Sequence, residues 1–151
     1  METPIQIAAA APDDYEWGAR LMASTEPWIT FKRDLAGCRD TLLRPGTELF
    51  VAWQKESRLG FILLAPYGLA GSPYVACLAV AAEARGQGVG SQLLRFAEEQ
   101  FADRAHIFIL VSSFNHRAQD LYRREGYQFV GELKDFIVAG HSELILHKRI
   151  S

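Results

Sequence analysis

An uncharged strand-like run from Tyr74 to Val80 leads through a short link into the turn Arg85-Gly86-Gln87-Gly88-Val89-Gly90, and an amphipathic helical pattern opens at Ser91. No other segment constrains the fold as tightly. A glycine-rich turn between a strand and a helix N-terminus is an anion cradle. Glycines let backbone N–H groups face a ligand without a Cβ in the way, and the helix dipole favours negative charge there. The expected anion is a phosphate.

Two phosphate loops fail on the residues. A P-loop requires Gly-x-x-x-x-Gly-Lys-Ser/Thr, and no lysine lies in this turn. That also removes a nucleotide-binding switch. A dinucleotide fingerprint counted from Gly86 and Gly88 requires its third glycine where Ser91 stands. What remains is Arg-x-x-Gly-x-Gly, formed by Arg85, Gly88 and Gly90. The plain alternative is a tight strand-to-helix connection that holds no ligand.

A second pattern lies about 30 residues downstream, in the segment Asn115 to Tyr127. It reads as a helix of two to three turns, with arginines in the last turn and Gly126 at the C′ position. Asn115 and Tyr122 are two helical turns apart and share a face. By themselves they read as an N-cap and a core tyrosine.

Together, the Arg85–Gly90 turn and the Asn-x-x-Ala-x-x-Leu-Tyr-x-x-x-Gly-Tyr string resemble the GNAT superfamily of N-acetyltransferases. The resemblance implies an acetyl-coenzyme A site built on Arg85, Gly86, Gln87, Gly88, Val89, Gly90 and Ser91 for the pyrophosphate. It implies that Asn115, with the main chain of Leu78 and Val80, contacts the pantetheine arm, and that the Val80 N–H polarises the acyl carbonyl. The Tyr122 hydroxyl then protonates the departing thiolate.

Composition is ordinary for one globular domain over residues 1–151, with 49% of residues hydrophobic and 23% charged. A net charge of −2 gives no sign of a nucleic-acid surface. Cys38 and Cys77 make neither a metal spacing nor a disulfide framework, and four scattered histidines suggest no zinc site. No metal is expected. The N-terminus has no basic region leading into an apolar one, so a cytoplasmic protein with reduced thiols is the expectation. Leu59 to Ala82 carries no charge, yet Pro66, Gly68, Gly71 and Pro73 break it. It reads as two buried strands, Gly60 to Ala65 and Tyr74 to Val80, joined by a Pro/Gly loop, and not as a membrane span.

The remaining elements are a strand at Ile5 to Ala9, a helix starting at Pro12-Asp13-Asp14, and a helix over Lys32 to Leu43. Strands follow at Leu49 to Trp53, Ile107 to Val111, Tyr127 to Gly131 and Ser142 to His147. On the helix after the glycine turn, Leu93, Leu94, Ala97 and Phe101 recur at helical spacing. The order β-α-α-β-β-β-α-β-α-β-β predicts an α/β (α+β) fold with a mixed sheet of six to seven strands and about four helices. That is the GNAT arrangement. In that fold the Tyr74 and Ile107 strands run parallel and splay apart, and the pantetheine arm lies in the wedge like an added strand.

The implied activity is transfer of an acetyl group to a primary amine, on a small molecule or a protein or peptide, through a tetrahedral intermediate. The other function class is a non-catalytic acetyl-coenzyme A sensor, which has no need of a leaving-group acid at Tyr122. A homodimer is left open. Transfer needs a neutral amine, and deprotonating one with a pKa of 10.4 at pH 7 costs roughly 4–5 kcal/mol. No carboxylate lies on the strand before the turn. Glu26, Glu132, Asp135 and Glu143 are the candidate bases, each expected to be a solvated surface charge. The acceptor wall is expected from Glu26, Trp28, Phe31 and the loop around Phe136 and Ile137, with Trp28 and Phe31 as packing residues in the alternative.

Overall fold

Seven strands form one sheet in the order β1-β2-β3-β4-β5-β7-β6. The computed structural model describes residues 3–151. Its elements are β1 (Gln6–Ala9), α1 (Pro12–Ala23), α2 (Leu35–Leu42), β2 (Glu48–Gln54), β3 (Ser57–Leu69) and β4 (Ser72–Val80), then α3 (Val89–Gln100), β5 (His106–Ser112), α4 (His116–Arg124), β6 (Gln128–Lys134) and β7 (Ser142–Arg149). This is the predicted order, with one turn of 3-10 helix, Ala82–Ala84, added before the glycine turn. Among the described residues only β4 and β5 pair in parallel.

Several boundaries moved for local reasons. The predicted Lys32 helix begins at Leu35, because Lys32 takes a left-handed φ of 57° and Asp34 caps the helix by accepting from the Gly37 N–H at 2.8 Å. The Pro/Gly loop predicted between β3 and β4 is mostly strand. Pro66, Tyr67 and Gly68 form an irregularity opposite Pro73, and the chain reverses only at Ala70-Gly71. Two consecutive residues with positive φ match the twist of a two-residue hairpin. Among the described residues no helix is long and apolar enough to cross a membrane.

The two sheet faces are covered by different helices. On one, α1 and α2 bury Ala19, Met22, Cys38 and Leu42 against Val51, Phe61 and Leu63. On the other, α3 buries Leu93, Leu94 and Ala97, with Phe101 at its C-cap, against Ile62, Leu64, Ile107 and Ile109. Each fully buried leucine or isoleucine contributes about 1.5–3 kcal/mol of transfer free energy.

One register shift positions the site. Leu63 faces Cys77 and Leu64 faces Val75, so Ala76 is an extra residue on β4. The bulge turns Val75 toward the α3 core and Cys77 and Ala79 toward the α1–α2 core. Beyond the bulge β4 leaves its parallel neighbour. The β4–β5 ladder consists of Tyr74 with Phe108 and Val75 with Ile109, and nothing more. The predicted splay is present.

Candidate active site

The splayed edge of β4 carries unpaired backbone. The Ala81 N–H donates to the Leu59 carbonyl at 2.8 Å, toward β3. Strand groups alternate, so Cys77 and Ala79 also face β3, while the N–H and C=O of Leu78 and Val80 face the wedge. These two residues are the ones predicted from the resemblance. The wedge is part of a cleft of about 1260 Å³ that runs from the glycine turn to the loops beside α1 and β7.

At one end the glycine turn meets α3. Gly86 and Gly88 have φ of 81° and 79°, where L side chains are strained, and a Cβ at either would meet nothing within 4 Å. Gly88 is the N-cap of α3 and no side chain caps the helix. The Gln92 N–H makes the first bond, to the Gly88 carbonyl, so the N–H groups of Val89, Gly90 and Ser91 have no intrahelical acceptor. Arg85, Arg117 and Arg124 line the same cleft, and none joins the ion pairs found among the described residues. Open space, free donors and unpaired guanidiniums fit a pyrophosphate. Gly90 lacks a side chain for a different reason. A Cβ there would lie 2.7 Å from Leu121 Cδ2, so this glycine lets α4 approach α3. The Gln87 side chain turns back to the Glu83 carbonyl at 3.4 Å and does not line the cleft.

Asn115 caps α4, its Oδ1 accepting from the Ala118 N–H at 3.3 Å, which leaves its amide N–H groups free for a ligand. Tyr122 projects from α4 with 5% exposure. Its hydroxyl makes no hydrogen bond within the described chain, yet no fully buried side-chain polar atom there lacks a partner. The hydroxyl oxygen therefore touches the cleft. Burial, then the neighbouring Cys77 and Tyr74, push its pKa well above the ordinary tyrosine value. At neutral pH it holds its proton. The Tyr74 hydroxyl is pushed up to about 12, by burial first. Burial likewise pushes the Cys77 thiol up to about 12.

The four candidate carboxylates separate cleanly. Glu26, which lines the cleft mouth, binds the Thr30 N–H at 3.0 Å and the Thr30 hydroxyl at 2.8 Å. Glu132 accepts from the Ser142 hydroxyl and Asp135 from the Gly140 N–H, both at exposed positions. Glu143 differs. It was expected to be a solvated surface charge, but it is 5% exposed and lines the cleft. The inward alternation of β7 puts it there. Its Oε2 accepts from the Ser112 hydroxyl at 2.7 Å. Burial raises its pKa, and the Ser112 hydrogen bond opposes that.

Trp28 is buried at 5% exposure in the α1–α2 core and also lines the cleft. Phe31 lines it too, edge-on to Phe114 with centroids 6.1 Å apart. Phe136 and Ile137 are further lining residues. Sequence reading missed Arg33, Arg44, Tyr74 and Phe114, all of which line the cleft. They come from four separate segments, and no spacing in the chain marks them as a group.

Residues 45–129 match the family model for the acetyltransferase (GNAT) domain. No curated protein sequence matches the chain significantly. Among solved structures, a GNAT-family protein from Desulfovibrio desulfuricans superposes with a TM-score of 0.83 at 18% identity, covering 98% of this chain and 100% of that one. An aminoglycoside 6'-N-acetyltransferase complexed with coenzyme A gives 0.78 at 16% identity, with 97% of both chains covered. The ribosomal-protein-S18-alanine N-acetyltransferase from Escherichia coli gives 0.75 at 16% identity, covering 98% of this chain and 95% of that one. Identities this low speak for the fold alone, and the family match is carried by the residues from the approach to β2 through α4 into the start of β6. With its glycine turn, its splayed β4 edge and its Asn115–Tyr122 helix all inside or beside that matched segment, the chain belongs to the GNAT acetyltransferase family.

Proposed function

We propose that this enzyme transfers the acetyl group of acetyl-coenzyme A directly to a primary amine, with Tyr122 as the leaving-group acid. The observation that carries this reading is the Tyr122 hydroxyl, protonated and free of protein partners, in the cleft that β4 also lines. The donor molecule's pyrophosphate sits on the N–H groups of the glycine turn and α3. Its pantetheine arm pairs with Leu78 and Val80 and meets the Asn115 amide.

The N–H groups of Leu78 and Val80 both face the wedge, and the Val80 N–H is the oxyanion donor that the family resemblance implies. A single such donor is worth about 2.7–4 kcal/mol in the transition state.

Glu143 takes the proton that the incoming ammonium must lose. Burial raises its pKa toward that of the amine, which makes it a better base than a solvated carboxylate. The neutral nitrogen attacks the thioester carbon, the C–N bond forms and the C–S bond breaks. Tyr122 gives its proton to the sulfur and is reprotonated through solvent by the second proton lost from nitrogen. The balance is ammonium plus thioester giving amide, thiol and one released proton. Cys77 is not the nucleophile, since its thiol stays protonated.

The test is thiol release from acetyl-coenzyme A over a panel of amines, compared between the native chain and Tyr122→Phe. The variant is expected to bind acetyl-coenzyme A normally and to turn over about 10- to 1,000-fold more slowly. An unchanged rate removes Tyr122 from the mechanism. Tight binding with no thiol release for any amine returns the sensor reading.

A further inference from the structure

The cleft carries charges of both signs. Glu143 is the buried negative group, on β7. Its Oε2 is occupied by Ser112, and its other oxygen is not among the buried atoms that lack partners, so it is open to the cleft. Arg33, from the segment between α1 and α2, and Arg44, from the turn after α2, line the same cleft. Neither belongs to any ion pair among the described residues. Arg33 is held in place, donating to the Thr41 hydroxyl at 3.3 Å with its guanidinium 5.8 Å from the centre of the Phe31 ring.

Glu143, Arg33, Arg44, Tyr74 and Tyr122 line this one cleft. Both guanidiniums oppose the rise that burial gives the Cys77 thiol, and at the Tyr74 hydroxyl Arg44 and Glu143 act with opposite signs. An acceptor seated in the cleft meets a carboxylate and two guanidiniums that join no ion pair among the described residues.

We propose that the acceptor is an amino carboxylate, whose amine docks on Glu143 and whose carboxylate docks on Arg33 and Arg44. This rests on the acetyl-transfer reading above and narrows its substrate class. Guanidiniums are matched to carboxylates by their planar pair of donors. A polycationic acceptor places its further ammonium groups against the same two arginines and is disfavoured. The reaction is unchanged: the amine nitrogen gains the acetyl group, the carboxylate stays intact, and one proton is released.

The experiment measures kcat/KM for a set of amino acids that differ in the separation of amine and carboxylate. Each is paired with its carboxamide, and a linear polyamine is included. The native enzyme is expected to prefer at least one amino acid over its carboxamide by about 10- to 100-fold, the range of one charge-assisted hydrogen bond. In Arg44→Gln and in Arg33→Gln that ratio is expected to collapse toward one. The ratio within each variant controls for any loss of folded protein. A native enzyme that favours carboxamides or the polyamine overturns the proposal while leaving acetyl transfer standing. So does a ratio that survives both substitutions. Acetyl-coenzyme A binding with no turnover on any amine overturns acetyl transfer itself and this proposal with it.

Discussion

The Ser112 hydroxyl donates to Glu143 Oε2 at 2.7 Å, between two residues that stand directly opposite each other on β5 and β7. That bond holds the carboxylate at the wedge and keeps its pKa below what burial alone would give. Ser112→Ala is expected to raise the Glu143 pKa further. A base works only when deprotonated, so the acid limb of the kcat/KM profile should move to higher pH. A limb that stays in place takes Glu143 out of proton transfer.

Glu143→Gln separates activity from stability. Activity on the best amine should fall by about 10²- to 10⁴-fold, the usual contribution of a general base. A carboxyl whose folded-state pKa is raised contributes stability below its unfolded pKa and loses it as pH rises through the folded value. The native protein and the variant should therefore melt alike in acid. As pH rises above the usual carboxylate range, the variant should become the more stable of the two, read by Tm at a series of pH values.

Gly88→Val and Gly90→Val should fail in different ways. At Gly88 the cost is a left-handed backbone, about 1–2 kcal/mol for an L residue, together with weakened acetyl-coenzyme A binding in calorimetry. At Gly90 the clash is with Leu121 Cδ2 at 2.7 Å, so the first loss is stability. Leu121→Ala should partly restore the Tm of Gly90→Ala. It should do nothing for Gly88→Ala.

Direct transfer makes Cys77 dispensable. Its thiol, pushed up to about 12 by burial, stays unreactive at neutral pH. Cys77→Ser should keep kcat within a few-fold, and the native protein should resist thiol reagents until it is unfolded. Loss of activity to background in a folded Cys77→Ser protein would point to an acetyl-cysteine intermediate instead.

Asp14 provides a control far from the chemistry. It is 3% exposed, accepts from the Ala11 N–H at 2.8 Å and pairs with Arg58 at 2.7 Å. Asp14→Ala leaves Arg58 without its partner and removes an N-terminal cap. The expected cost is about 1.5–3 kcal/mol by chemical denaturation, that of a charge-assisted hydrogen bond whose surviving partner is part-solvated, with kcat nearly unchanged in the protein that remains folded.

The family was legible in the chain. Arg85, Gly88, Gly90, Asn115 and Tyr122, which carry the resemblance, lie in two short segments, where turn chemistry and helical spacing fix their relations locally. The fold was legible too, because hydrophobic periodicity sets the order of elements. Even so, Gly90 reads the same in sequence whether its bare backbone serves a ligand or, as here, a neighbouring helix.

The rest of the cleft was decided only by tertiary structure. Glu143 looks like any polar position of a late strand until β5 and β7 pair and turn it inward. The bulge at Ala76 re-aims Cys77, and it comes from a register shift that no single strand encodes. Arg33, Arg44, Tyr74 and Glu143 belong to segments up to 110 residues apart. Charges so distant in sequence act on one another only after the sheet has brought them around one cleft.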